Sequence, residues 1–183
     1  AVCSAVISPD CRFVATSSED GTARLWFVHT GKCARVLQEH KDAVYAAAFS
    51  PDSKLVVTAS EDGTAKIWVT KTGLCKLTLK GHQHAVLWAS FAPDGKSVTT
   101  TASDGTLKIW NAKTGICDRT LLGQQPVYLC SFSSDGESFV TACGDSTAKI
   151  SNILTGECER SLVGHTALVL SASFAPECPT SEF

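Results

Sequence analysis

The sequence predicts an all-β protein made of one small antiparallel sheet repeated along the chain. Three observations carry this. A ten-residue stretch is written four times, as SSEDGTARLW at 17–26, ASEDGTAKIW at 59–68, TASDGTLKIW at 101–110 and ACGDSTAKIS at 142–151. Between the copies the apolar runs are short and alternate with period two, the pattern of half-buried strands. Each run is bounded by Gly, Asp, Ser or Pro, the residues that close tight turns.

The period is about 42 residues and holds in every column of the repeat. Asp20, Asp62, Asp104 and Asp145 align, as do Trp26, Trp68, Trp110 and Ser151, and Gly31, Gly73, Gly115 and Gly156. Ile7, Phe49, Phe91, Phe132 and Phe174 form another column, and the register begins at Ala1, which matches Ala43. In the second repeat the strands read, in order, AVYAAAFS, KLVVTAS, TAKIWV and CKLTL, joined by SPDS, EDGT and KTG. In those turns Asp and Ser bond the backbone, and Gly accepts positive φ. Four strands of about five to seven residues with short connections consume the whole period, so no helix fits. A sheet apolar on both faces cannot stand alone, which is why the unit recurs and stacks.

With 44% hydrophobic and 19% charged residues among 183, the chain reads as globular and soluble. No apolar run approaches the ~20 residues that cross a bilayer, and AVCSAVISPD lacks the features of a signal peptide. The chain opens without Met and reads as a fragment. Its 16 basic and 18 acidic residues leave a net charge of -2, so neither nucleic acid nor a membrane is expected as a partner. Of the nine cysteines, Cys33, Cys75, Cys117 and Cys158 each stand two residues after a Thr-Gly, one structural position visited four times. Equivalent positions a repeat apart lie beyond the ~7 Å between Cα atoms that a disulfide spans. They are expected to be small buried hydrophobes in a reducing, intracellular compartment, cytoplasmic or nuclear.

Gly81-His82, Gly164-His165, the variant Glu39-His40, FSPD at 49–52, SDGT at 103–106 and KIW at 66–68 closely resemble the WD-repeat β-propeller family over nearly the whole chain. The resemblance implies β-propeller blades of four-stranded antiparallel sheets. They form an open arc of four blades, about 1–38, 43–79, 85–121 and 127–162, plus a partial fifth, an extra inner strand at 167–174. It also implies a hydrogen-bonded tetrad in each blade: His of the entering loop, Thr on the second strand, Asp of the tight turn and Trp on the third strand. Blade two then holds His40, Thr58, Asp62 and Trp68, and blade three His82, Thr100, Asp104 and Trp110. Blade one keeps Thr16, Asp20 and Trp26, and His165 opens the fifth.

Blade four departs from this pattern. It keeps Thr141 and Asp145, but Gln124 stands at the His position, one residue is missing before Val127, and Ser151 replaces Trp. Losing a buried Trp typically costs about 3–5 kcal/mol unless neighbours fill the space, so blade four is expected to be the softest. The family's Asp after Trp is absent throughout, its place taken by Phe27, Val69, Asn111 and Asn152. Such propellers usually close at seven blades, so missing blades or a capping chain are expected partners.

Sites for chemistry are sparse. His82-Gln83-His84 alternates as a metal pair does, yet His82 belongs to a tetrad and no third ligand is assigned. No Cys sits in an activating setting, and the glycines lack phosphate-loop spacing. Arg24, Lys66, Lys108 and Lys149 precede the Trp position by two and are expected to lay their stems along the blade with charged tips in water. Trp88, alone in its column, is expected in the core. No enzyme activity, metal or cofactor follows. The expected function is a non-enzymatic interaction scaffold presenting a propeller face to a peptide or domain. A second reading is the regulatory or sensor arm of a larger signalling protein. A ubiquitin-ligase substrate receptor is disfavoured, because the W-D-x-R motif reads here as WFVH, WVTK, WNAK and SNIL. The resemblance sets the residue before the tetrad Asp beside the start of the inner strand. Glu19, Glu61 and Ser103 thus neighbour Tyr45, Leu87 and Tyr128, a rim suited to a basic segment with an apolar anchor.

Overall fold

The computed structural model describes residues 1–122 and 126–175. Gln124, Glu177 and the CPTSEF end therefore lie outside the described residues. Sixteen strands, and no helix among the described residues, form four sheets. The first is β1 (Val2–Ile7), β2 (Phe13–Ser18), β3 (Ala23–Phe27) and β4 (Cys33–Leu37). The second is β5 (Val44–Phe49), β6 (Leu55–Ser60), β7 (Thr64–Val69) and β8 (Cys75–Lys80). The third is β9 (Val86–Phe91), β10 (Ser97–Ala102), β11 (Thr106–Asn111) and β12 (Cys117–Leu122). The fourth is β13 (Val127–Phe132), β14 (Ser138–Cys143), β15 (Ala148–Asn152) and β16 (Cys158–Leu162). Each sheet is an antiparallel meander in chain order.

Two bulges recur in every sheet. The first falls in the inner strand, where pairing skips Cys3, Tyr45, Leu87 and Tyr128 in turn. The second falls in the outer strand and skips Ala34, Lys76, Asp118 and Glu159. A bulge leaves one residue unpaired and re-aims its side chain, so these eight positions leave the ladder's alternation. The turn between first and second strands also repeats. Cys11 (φ 57°) and Ser53 (φ 60°) hold the left-handed conformation that Gly95 and Gly136 hold in later repeats.

The core lies between the sheets. Val57, Ala65, Ile67 and Leu79 of the second sheet pack against Val86, Ala89, Phe91, Val98 and Trp110 of the third. Ala15, Leu25 and Leu37 meet Val44, Ala47, Val56 and Trp68 in the same way one repeat earlier. The inner strands β1, β5, β9 and β13 lie side by side. Trp88 packs into both the second-to-third and the third-to-fourth interfaces.

Two expectations are corrected. Cys33 and Cys158 are exposed, and Cys75 and Cys117 are half-buried. Each opens the outermost strand of its sheet, which is free on its far edge. Its thiol approaches the carbonyl two residues on, at 3.4 Å (Arg35), 3.5 Å (Leu77), 3.2 Å (Arg119) and 3.4 Å (Arg160). Among the described residues the buried thiols are Cys130 and Cys143, and burial pushes Cys130 up to about 12. The second correction is that residues 167–174 form no strand. No described segment offers them a ladder. They do lie on the fourth sheet: Val169, Ala172 and Phe174 pack on Val140, Ala142 and Ala148, and the Val169 amide donates to the Cys143 carbonyl at 3.3 Å. Those three occupy the columns of Val86, Ala89 and Phe91, so the segment packs as an inner strand does without pairing as one.

Candidate binding rim and its tetrads

The entering loop and the tight turn between second and third strands share one edge of each sheet, and there the polar residues converge. In the second sheet the Trp68 indole N–H donates to Thr58 Oγ1 at 2.8 Å, and Thr58 Oγ1 lies 2.7 Å from His40 Nε2. His40 Nδ1 lies 2.9 Å from Asp62 Oδ2. Burial holds the His40 imidazole below its ordinary value, against the pull of Asp62. A neutral ring has one donor and one acceptor, so the order is fixed: indole to hydroxyl, hydroxyl to Nε2, Nδ1–H to carboxylate. Burial works to raise Asp62, but hydrogen bonds from Thr64, the Lys41 amide and His40 overcome it and hold the carboxyl down to about 2.

The third sheet repeats this with one change. Trp110 donates to Thr100 at 2.8 Å, and Thr100 lies 2.6 Å from His82 Nε2. His82 Nδ1 reaches Thr106 Oγ1 at 2.8 Å and is 3.4 Å from Asp104. Thr106 in turn donates to Asp104 at 2.6 Å, so this hydroxyl relays the imidazole to the carboxylate. The threonine two after the Asp belongs to the constellation, and the tetrad reading left it out. Its signal was present, since Thr22, Thr64, Thr106 and Thr147 form a column.

The first and fourth sheets hold partial sets. Trp26 donates to Thr16 at 2.9 Å, while Asp20 accepts from the Thr22 amide and hydroxyl. In the fourth sheet Asp145 pairs with Lys149 at 2.7 Å, and both side chains are about a third exposed (32% and 37%). Thr141 donates to the Lys149 carbonyl at 3.4 Å. Ser151 is buried, and across the ladder it faces Phe139, where Val14, Val56 and Val98 face the tryptophans. His165 is exposed and joins no such set among the described residues. Of the recurring basic residues, Lys66 and Lys108 turn their ammoniums to Thr78 (3.0 Å) and Thr120 (2.9 Å).

Beside the tetrads lies the rim. The amide of the residue before the Asp donates to the carbonyl preceding the inner strand: Glu19 to Ala1 (2.9 Å), Glu61 to Ala43 (2.9 Å), Ser103 to Ala85 (3.0 Å) and Gly144 to Pro126 (2.9 Å). Glu19, Glu61 and Ser103 are exposed, and the bulged Tyr45, Leu87 and Tyr128 are half-buried. Burial and the neighbouring Glu61 carboxylate raise the Tyr45 phenol. The Glu19 carboxylate pairs with the Ala1 amino group at 3.0 Å. Among the described residues no three His, Cys, Asp or Glu side chains gather as a metal site.

A sequence model described as "WD domain, G-beta repeat" matches residues 1–26, 31–69, 73–111 and 115–151. A human protein, WD repeat-containing protein 86, is 50% identical over 38 residues, which is 21% of this chain and 10% of that protein. Domains of this kind generally serve as scaffolds for protein interaction. With four repeats matched in succession, the second to fourth each joining the outer strand of one sheet to the first three strands of the next, the chain belongs to the WD domain, G-beta repeat family.

Proposed function

We propose that this chain is a non-enzymatic scaffold whose tetrad-bearing rim holds a basic segment with an apolar anchor. One observation carries the reading: the bulge that lifts Tyr45 out of the ladder sets it against the exposed Glu61, on a loop tied down at both ends. A fixed carboxylate beside a fixed aromatic ring offers charge for steering and apolar area for affinity, with little left to order on binding. Leu87 and Tyr128 extend the apolar row along successive sheets. A reducing, intracellular setting, cytoplasmic or nuclear, belongs to this reading, supported by the free thiols of all the described cysteines.

The test is the affinity of a fluorescein-labelled lysine-rich peptide carrying a central leucine, followed by anisotropy. Glu19→Lys with Glu61→Lys is expected to weaken it about tenfold, on the order of 1.4 kcal/mol, with circular dichroism unchanged. Unchanged affinity in that variant and in Tyr45→Ala with Tyr128→Ala moves the binding surface off this rim.

A further inference from the structure

The opposite edge of the sheets carries a second feature, independent of the rim. Between the second and third sheets, where the first-to-second and third-to-fourth turns gather, lies an open groove of about 440 Å³. Its floor includes Leu55 and the buried Ala112, and Lys76, Lys96 and Lys113 stand around it. The lysines come from three places: the bulge of β8, the β9–β10 turn and the β11–β12 turn. All three are exposed. The lysine ion pairs among the described residues belong to Lys54, Lys66 and Lys149, so these three ammoniums are not neutralised there.

The adjacent groove, between the third and fourth sheets, is built from the same turns and strands and has the opposite charge. It measures about 320 Å³ and is lined by Asp94, Asp118 and Asp135 together with Arg119. One repeat on, Lys76 becomes Asp118, Lys96 becomes Glu137 and Lys113 becomes Leu154. Lys76 and Asp118 occupy the same bulge, so one backbone plan directs opposite charges into equivalent grooves. Packing therefore does not require the lysines, because the fold accepts acid or leucine in their places. A lysine kept only for its apolar stem would not exchange for the short side chain of Asp118.

We propose that the groove between the second and third sheets binds an acidic segment of a partner protein, with Asp or Glu side chains spaced around a small apolar residue. Three separate point charges around an apolar floor fit carboxylates carried at intervals along an extended chain. The bulge at Lys76 is the device that aims the first charge.

The test uses the 183-residue chain and a fluorescein-labelled peptide of alternating glutamate and alanine, with the lysine–alanine peptide as its counterpart, at low and physiological salt. The glutamate peptide is expected to bind in a salt-dependent manner. Lys76→Asp with Lys96→Glu and Lys113→Leu, which installs the residues the chain itself uses one repeat on, is expected to weaken it at least tenfold. The triple Lys→Arg variant is expected to stay within about twofold. Arg12→Ala with Lys32→Ala, exposed cations of the first sheet outside the groove, is expected to change nothing. Equal loss in that control, or no loss in the groove variant, overturns the proposal. So does equal binding of the lysine peptide. Displacement by inorganic phosphate at concentrations where acetate is silent overturns the carboxylate assignment.

Discussion

In the second sheet Val56 faces Trp68 across β6 and β7; in the fourth, Phe139 faces Ser151 across β14 and β15. The aromatic ring has changed strands. Phe139 is 2% exposed and fills the interface with Leu107, Ile109 and Cys130, the last standing where Ala47 and Ala89 stand in earlier repeats. Volume lost on the third strand is thus returned on the first and second. What does not return is the hydrogen-bond chain, because a phenyl ring donates nothing to Thr141. The second sheet holds its Asp through four donors in a buried corner, while the fourth uses an exposed lysine and one threonine. Packing and polar order in a blade are therefore separable.

The largest expected effect breaks the packing half of this comparison. Trp68→Ser puts the fourth sheet's residue into the second, where Val56 is too small to fill the space, and should cost about 3–5 kcal/mol. Adding Val56→Phe should recover a substantial part, measured by urea unfolding with unchanged slope. No recovery would show that the Phe139–Ser151 arrangement depends on Cys130 and its other neighbours.

A smaller effect probes the polar half. Asp62→Asn turns an acceptor toward the His40 and Lys41 donors into a donor and should cost about 2 kcal/mol. Asp145→Asn keeps the Thr147 bonds and loses only an exposed ion pair, about 0.5 kcal/mol. Equal losses would mean that the exposed pair does the work of the buried one.

The smallest expected effect is a difference in pH response. His40 and His82 are held below their ordinary value by burial, so the unfolded chain binds more protons than the folded one as pH falls below about 6.5. Their contribution is complete above that pH and declines below it. Asp62, held at about 2, adds a loss that starts near its unfolded value of roughly 4. Amide protection in β5–β12 should fall between pH 7 and 5 relative to β13–β16, whose described residues place no imidazole against Asp145. His40→Gln should abolish the part seen in β5–β8. A uniform fall across all sixteen strands would contradict the assignment.

The repeat made the architecture readable, because each column was sampled four times and every turn kept residues suited to its backbone. The tetrads of His40 and His82 were readable only through the family resemblance, which assigned their roles. A column reports position but not exposure, which is why the Cys33 column was expected to be buried, whereas Cys33 and Cys158 are exposed and Cys75 and Cys117 only half-buried. The Phe139–Ser151 exchange was also out of reach, since it becomes visible only once the register shows which residues face each other. The reversal from Lys76 to Asp118 stood in the sequence, but two bulged positions must be placed in equivalent grooves before their charges mean anything.

The principal contacts between sheets join β1 and β2 to β5, β5 to β7 with β9, and β9 and β10 to β13, so each sheet leans on its sequence neighbours. Under tension applied at the two ends, that arrangement has a mechanical consequence. Within a sheet the outer strand is linked through a short loop to the next sheet's inner strand, so the ladders bear the tension in series and the weakest opens first. The chain should yield in steps, each releasing a whole meander and lengthening the tether by about 120 Å at ~3.3–3.6 Å per residue. A sheet braced by a buried polar chain and one braced by a displaced aromatic ring should then give way at different forces, which makes the order of the steps a record of the sequence.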